Sequence, residues 1–278
     1  MNNLTQRTFG AEIEFVSRDR GERLQSEMRA RGLECRIEGY NHVTKRHWKI
    51  VTDASVKPNG AQRRDGYCKG LELVSPILQG ANGLEQLKTA CEALEAADAK
   101  VNITCGLHVH HGADDFSIDN FRGLLKLYVR FEETIDELQP ASRRRSVNTY
   151  CKSIKTVTTA GTERLVDRCE TVHDLTQLYR SRFYKLNFHS FATHTTVEFR
   201  HHSGTLEFEK ISKWVMLTQA MVERTFKGAV VKGAAGSDSW KLFTETIFLD
   251  RKNGQHAKSE YAKQLTAFYS KRRKQLAA

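Results

Sequence analysis

The sequence predicts an α+β domain: an antiparallel-dominated sheet backed by helices. Three segments far apart in the chain alternate polar and apolar residues with the period of two that belongs to strands. They are Gly10-Ala-Glu-Ile-Glu-Phe15, Gly106-Leu-His-Val-His110 and Thr196-Val-Glu-Phe-Arg200. Between them run stretches whose apolar residues recur at helical spacing. No linker, internal repeat or low-complexity segment interrupts the chain, so residues 1–278 are expected to form one domain.

Taken in order, Phe9–Val16 alternates as a strand. Arg20–Arg31 is polar and helix-prone and stops at Gly32, and Leu33–Tyr40 and His47–Thr52 read as further strands. Asp53–Gly70, rich in Gly, Asn, Pro and charge, is expected to be a loop, and Leu71–Ser75 a short strand closed by Pro76. Leu84, Leu87, Cys91 and Leu94 then recur at helical spacing with Gly83 before them, and a strand bearing a histidine pair covers Asn102–His111. Ser117 is an N-cap candidate for a long helix whose stripe is Ile118, Phe121, Leu125, Tyr128, Ile135 and Leu138. Residues 141–170 are polar and irregular, and Thr171–Arg180 suits a short helix. Phe183–Phe191 and Thr195–Glu207 are expected to pair as a hairpin. The remainder, including residues 218–278, is mostly helical, with Ile211, Trp214, Val215, Met221 and Val222 as core anchors.

Composition narrows the function classes. No apolar run is long enough for a membrane span, and Met1–Arg7 lacks the apolar stretch of a signal peptide, so a cytoplasmic setting is expected. The six cysteines form no Cys-x-x-Cys pair and no zinc-ribbon spacing, which points to reduced structural thiols. The net charge of +11 favours an anionic partner, with basic clusters at Arg63-Arg64, Arg143–Arg145 and Lys271–Lys274. Nucleic acid is not the favoured partner, because no recognisable motif and no aromatics interleave the basic runs. There is neither a P-loop nor a Gly-x-Ser-x-Gly elbow.

The strand pairs carry the chemistry. Glu12 and Glu14 share one face, as do His108 and His110, and Glu198 and Arg200. Each pair alone has an ordinary explanation: a solvated edge for Glu12 and Glu14, a cross-strand salt bridge for Glu198 and Arg200. Glu72, a lone carboxylate in the apolar Leu71–Val74 run, is harder to explain without a ligand. A face carrying all of these groups cannot be a dry core, and metal ions with a polyanion would reconcile the carboxylates with the arginine. Same-face imidazoles bring zinc to mind, but the surrounding glutamates are hard oxygen donors that favour Mg²⁺ or Mn²⁺. His201 and His202 are expected to face opposite sides, so at most one joins the cluster. His42, His47, His173, His189, His194 and His256 carry no spacing signal and read as structural or surface residues.

Together these motifs resemble the carboxylate–amine ligase superfamily of glutamine synthetase and glutamate–cysteine ligase, in order as well as in content. More closely, the chain is similar to the small amidoligase branch of that superfamily, through Gly-Leu-Glu72-Leu-Val-Ser-Pro76, Cys105-Gly-Leu-His-Val-His110 and Thr196-Val-Glu-Phe-Arg-His-His-Ser-Gly-Thr205. The element from Arg143 through Asn148-Thr-Tyr-Cys151 matches as well, and the likeness spans about residues 8–217. It implies a glutamine-synthetase-like catalytic fold with a curved sheet lining a funnel. ATP would enter one end and the carboxylate and amine substrates (the amine on an amino acid, peptide or protein) the other. By motif position, Glu14 and Glu72 would hold one Mg²⁺ and Glu12, His108 and Glu198 a second. His110 would touch an ATP phosphate. Arg200 would face the transferring phosphoryl group, with Glu198 and Glu72 completing the catalytic set. One departure stands out: glutamine synthetases carry an arginine two residues before the late glutamate, where this chain has Thr196. Arg182, Lys185 and Arg143 are the candidate substitutes, with Asn187 beside them. The implied activity is ATP-dependent amide or peptide bond formation. A phosphotransferase on the same fold, a basic nucleic-acid-binding protein or a metallohydrolase on the His-x-His strand are the alternatives.

Overall fold

The alternation of Gly10–Phe15 becomes strand β1 (Thr8–Ser17), in which Ala11, Ile13 and Phe15 are at most 2% exposed while Glu12 faces away from them. The computed structural model describes residues 6–156, 162–226, 239–252, 255–258 and 260–277. Residues 1–5, placed ahead of the first strand by the sequence, and 157–161 and 227–238, within the irregular and helical stretches expected there, lie outside the described residues. Helix α1 (Glu22–Ala30) follows β1, then β2 (Cys35–Ile37) and β3 (Trp48–Thr52). Only three residues of the expected Leu33–Tyr40 strand pair, because the rest of the connection turns over the sheet. Asp53–Gly70 is not wholly loop: Asn59 caps α2 (Gly60–Arg64) through a reciprocal box with Gln62. Strands β4 (Lys69–Val74) and β5 (Leu78–Gln79) lead into α3 (Gly80–Ala96).

Helix α3 begins at Gly80, four residues before the apolar spacing that starts at Leu84, which puts Gly83 inside it. A Cβ there would come within 2.9 Å of Leu78 and 3.1 Å of the Phe9 ring, so glycine is what lets the helix lie close on β1 and β5. Strand β6 (Gly106–Gly112) carries the histidine pair. Ser117 caps α4 (Ile118–Asp136) as expected, in a capping box with Asn120. After α5 (Thr162–Arg168), Thr171 caps α6 (Val172–Leu178). The expected strand Phe183–Phe191 shrinks to β7 (Leu186–Asn187), since His189–His194 forms α7. Strand β8 is Thr196–Ser203. The C-terminal part holds α8 (Phe208–Phe226), α9 (Ser239–Phe248), the antiparallel pair β9 (Leu249–Lys252) and β10 (Gln255–Lys258), and α10 (Glu260–Ala277).

The main sheet has eight strands in the order β2-β3-β4-β1-β6-β8-β7, with β5 beside the start of β1. Every pairing is antiparallel except β2 with β3. Its apolar face (Ile13, Leu73, Leu107, Val109, Phe199) joins one hydrophobic cluster with Leu87 and Leu94 of α3, Tyr128 of α4 and Trp214 of α8. Burying each such side chain is worth about 1.5–3 kcal/mol, so this layer, and not the polar face opposite, holds the sheet together. The five anchors expected on α8 are all at most 1% exposed.

Registers bring the polar pairs together. Glu12 lies opposite His108, Glu14 opposite Glu72, and His110 opposite Glu198. Strand β8 carries a bulge: Val109 pairs with Phe199, but Leu107 pairs with His202. Strict alternation therefore fails at His201 and His202. Both are at most 1% exposed and both rings pack against Trp214, so neither joins the polar face.

Candidate active site

A cleft of about 540 Å³ opens on the polar face of the sheet. Its floor is built from Gly10 and Glu12 of β1, Glu72 of β4, His108 and His110 of β6, and Thr196, Glu198 and Arg200 of β8, with Asn187 of β7 at one edge. The connection between β2 and β3 roofs it. Lys49 holds that strap from below, its Nζ donating to the Asn41 carbonyl, to Asn41 Oδ1 and to the Val43 carbonyl at 2.9–3.0 Å. On the far side, Arg182 approaches His42 Nε2 and donates to the Tyr40 hydroxyl, each at 3.4 Å, and Thr44 Oγ1 lies 3.2 Å from His194 Nδ1. The strap thus crosses from one edge of the sheet to the other.

At the floor, His108 is the hub. Its Nδ1 is 3.0 Å from Glu12 Oε2, 3.7 Å from Glu198 Oε1 and 3.9 Å from Glu72 Oε1, and its Nε2 is 3.4 Å from Glu14 Oε1. Gly106 N–H donates to Glu14 Oε2 at 2.6 Å, and Asn187 Nδ2 to Glu198 Oε2 at 2.6 Å. A Cβ on Gly106 would sit 3.1 Å from His108 Nε2 and 3.2 Å from an Arg143 Nη atom, so glycine suits this close approach to the histidine and the arginine. His110 Nδ1 meets Thr196 Oγ1 at 2.9 Å, which gives the departing residue of the late motif a defined contact. Arg200 pairs with Glu198 Oε1 and donates from Nε to the Tyr150 carbonyl at 3.4 Å.

Electrostatics follow from this crowding. Burial pushes the Glu72 carboxyl well above its usual range, and the charges of Glu12, Glu14 and Asp53 add to that. Burial acts the same way on Glu12, but His110 and His108 outweigh it and hold Glu12 well below the usual range. For Glu198, burial is likewise overcome, by Arg200 and His110. The His110 imidazolium is favoured by Glu12 and Glu198 against its own burial.

The floor suits divalent cations. Three sets have ligand atoms within 4.8 Å of one another: Glu14 with Asp53 and Glu72, Glu12 with Glu72 and His108, and Glu12 with His110 and Glu198. His110 Nε2 is buried 3.3 Å from Glu12 Oε1 and 3.9 Å from Glu198 Oε1, and four carboxylates meet around the His108 imidazole, a donor set that an ion would satisfy.

Of the expected site residues, Glu12, Glu14, Glu72, His108, His110, Asn187, Glu198 and Arg200 converge here, and Arg182 stands at the mouth. Lys185 and Arg143, expected to contact the nucleotide, do not line the cleft. Lys185 is fully buried and paired with Glu132 and Asp136 of α4. Arg143 is 3% exposed and donates to the Cys105 carbonyl beneath Gly106. Helix α4 supplies acids that capture the first, and the floor strand covers the second. Asp53, Lys49, Tyr40, His42 and His194 line the cleft although sequence reasoning left them out. Asp53 had a signal: it continues the period of two from Lys49 and Val51 one step past the strand. The strap and His194 had none, since what brings them here is contact between residues about 150 apart.

The basic clusters are only partly used inside the molecule. Arg144 donates to the Gln139 and Leu276 carbonyls, Arg272 to the Leu138 carbonyl, and Arg273 pairs with Glu137 at the surface, while Arg63, Arg64, Arg145, Lys271 and Lys274 are exposed. Among the described residues, no helix is long and apolar enough to cross a membrane.

A family model described as "Putative amidoligase enzyme" matches residues 5–222. No curated protein matches the sequence. Among solved structures, a bifunctional glutathione synthetase from Pasteurella multocida aligns with 13% identity and a TM-score of 0.43. The alignment covers 98% of this chain and 47% of that one, so the chain spans about half the length of that structure.

Proposed function

The chain belongs to the amidoligase family, and on that premise we propose that it is an ATP-dependent ligase joining a carboxylate to an amine through an acyl phosphate. A carboxylate oxygen of the first substrate attacks the γ-phosphorus of ATP, the bond to the β,γ-bridging oxygen breaks, and ADP leaves. The amine nitrogen of the second substrate then adds to the acyl carbon. Phosphate departs with the C–O bonding pair, and the surplus proton on nitrogen passes to the carboxylates of the cleft. A place in the superfamily of glutamine synthetase and a cytoplasmic setting are part of the same proposal.

The observation that carries the proposal is the meeting of Glu12, Glu14, Glu72 and Glu198 around His108, with Arg200 beside them at the same cleft. Glu14, Asp53 and Glu72 would hold one Mg²⁺ or Mn²⁺, and Glu12 and Glu198 with a histidine a second. Such ions, when bound, neutralise phosphate charge and polarise the γ-phosphoryl group. Arg200 presents a planar fork to the developing charge, and its pairing with Glu198 keeps that fork aimed into the cleft. Arg182 offers a cation to the phosphates or to a substrate carboxylate at the mouth, and the strap residues that line the cleft would shield the acyl phosphate from water.

Incubation with ATP, Mg²⁺ and hydroxylamine across a panel of carboxylates tests the assignment. A hydroxamate with ADP is the expected product. ADP with a stable phosphorylated product would instead make the protein a phosphotransferase, and no ADP with any carboxylate–amine pair would reject both.

A further inference from the structure

On the helix side of the sheet lies a buried cluster of ionisable groups that the chemistry of the cleft does not use. Lys185 Nζ donates to Glu132 Oε1 at 3.0 Å and to Asp136 Oδ1. His201 Nε2 lies 2.6 Å from the same Asp136 oxygen, and its Nδ1 lies 2.7 Å from the Tyr128 hydroxyl. Burial opposes the charge of Asp136, but His201 and Lys185 overcome it and bring its carboxyl down to about 2. An apolar cluster of similar volume is often as stable as a buried ion cluster. Stability alone therefore does not account for four ionisable groups at this place.

What the cluster holds is the segment that touches Arg200. Asp136 Oδ2 accepts from the Arg145 N–H at 2.8 Å and Glu132 Oε2 from the Ile154 N–H at 2.9 Å, so the two acids pin both ends of residues 145–154. Between those ends, the Tyr150 carbonyl accepts from Arg200 Nε. A backbone relay runs alongside: Lys185 N–H donates to the Lys152 carbonyl at 3.0 Å, and Arg200 N–H to the Lys185 carbonyl at 2.8 Å. His201 follows Arg200 in β8, so its tie to Asp136 anchors the strand at the next residue.

We propose that Glu132, Asp136, Lys185 and His201 are positioning residues that fix the Arg200 guanidinium from behind the sheet. The assignment rests on reading Arg200 as the group that faces the transferring phosphoryl. An arginine whose backbone, neighbour and Nε acceptor are all tied to one rigid cluster loses little freedom when charge develops in front of it.

The test uses full-length protein labelled with ¹⁵N-arginine, in which the Arg200 Nε–Hε signal is identified by its loss in Arg200→Lys. In Asp136→Asn, which keeps the side-chain volume, that signal is expected to move and broaden. The kcat for ADP release should fall by about 10–100-fold with the KM for ATP within about twofold, the pattern of lost alignment rather than lost binding. If Asp136→Asn does not fold, Tyr128→Phe removes one hydroxyl from the same cluster and should displace the signal in the same direction by less. A folded Asp136→Asn, or Tyr128→Phe in its place, with the Arg200 signal unchanged in position and width overturns the proposal. Should the wild type release no ADP with any carboxylate–amine pair, the ligase assignment falls, and the Arg200 signal alone decides the positioning role.

Discussion

Glu12 and His108 face each other directly across β1 and β6, and His108 Nδ1 stands 3.0 Å from Glu12 Oε2. Strand register sets this contact, with no long flexible side chain reaching over. The neighbouring Ile13 lies on the opposite face and is 0% exposed. Glu12→Gln is therefore expected to abolish turnover with the fold retained. Ile13→Ala should lower stability by about 2–5 kcal/mol. Denaturant unfolding of both variants beside an ADP-release assay reads the pair. The reverse pattern would mean that the polar face is not the working face.

Asp53 and Glu72 belong to one set of convergent acids. Asp53→Asn should weaken Mn²⁺ binding by about 10-fold or more, measured by electron paramagnetic resonance titration. Activity should require Mg²⁺ or Mn²⁺. Full turnover in a chelated sample supplied only with zinc would remove the hard-cation assignment.

Arg200→Lys keeps the positive charge and loses the planar fork. The expected result is a fall in kcat of about 10²-fold or more with ATP affinity little changed, because the guanidinium acts where charge is redistributed in the transition state. A large loss of ATP binding with kcat intact would assign Arg200 to ground-state binding instead.

Asp136 yields a pH signature. Its carboxyl is held down to about 2 from an ordinary 3.8, so it contributes stability above pH 3.8, and that contribution is lost as pH falls through about 2. The gap in melting temperature between wild type and Asp136→Asn should be widest above about pH 4 and should close toward pH 2. A gap independent of pH over that window would show that the ionised carboxylate contributes nothing.

Arg144 separates internal from external use of the basic clusters. Its guanidinium donates to two backbone carbonyls, one of them in α10. Arg144→Ala should cost about 1–3 kcal/mol of stability through unsatisfied acceptors. A variant of unchanged stability that loses strongly salt-dependent nucleic-acid binding would revive the nucleic-acid alternative.

The shared face of Glu12, Glu14, Glu72, His108, Glu198 and Arg200 was legible in the sequence because side-chain direction in a strand is a local property with period two. The capped start of α4 at Ser117 was legible for the same local reason. Long-range features were not. Lys185 is two residues before Asn187 and so reads as a cleft residue, yet the acids of α4 claim it. The strap reaches the cleft only through Lys49 beneath it and His42, Thr44 and Tyr40 across it, contacts that no spacing encodes. His201 and His202 defied alternation because a bulge is a property of two paired strands, not of one sequence.

That bulge also separates what β8 needs for pairing from what it needs for its neighbours. Removing the single codon for His201 would leave Phe199 opposite Val109 and His202 opposite Leu107 in an unbroken ladder, with Glu198 and Arg200 still turned toward the cleft. By hydrogen-bond pairing the shortened strand is the simpler one. The extra residue is an insertion that the sheet tolerates on behalf of the helices behind it. A one-residue deletion here would therefore give a protein with an intact sheet in which β8 has lost its polar link to Tyr128 and Asp136 of α4, a lesion that substitutions on the cleft side cannot reproduce.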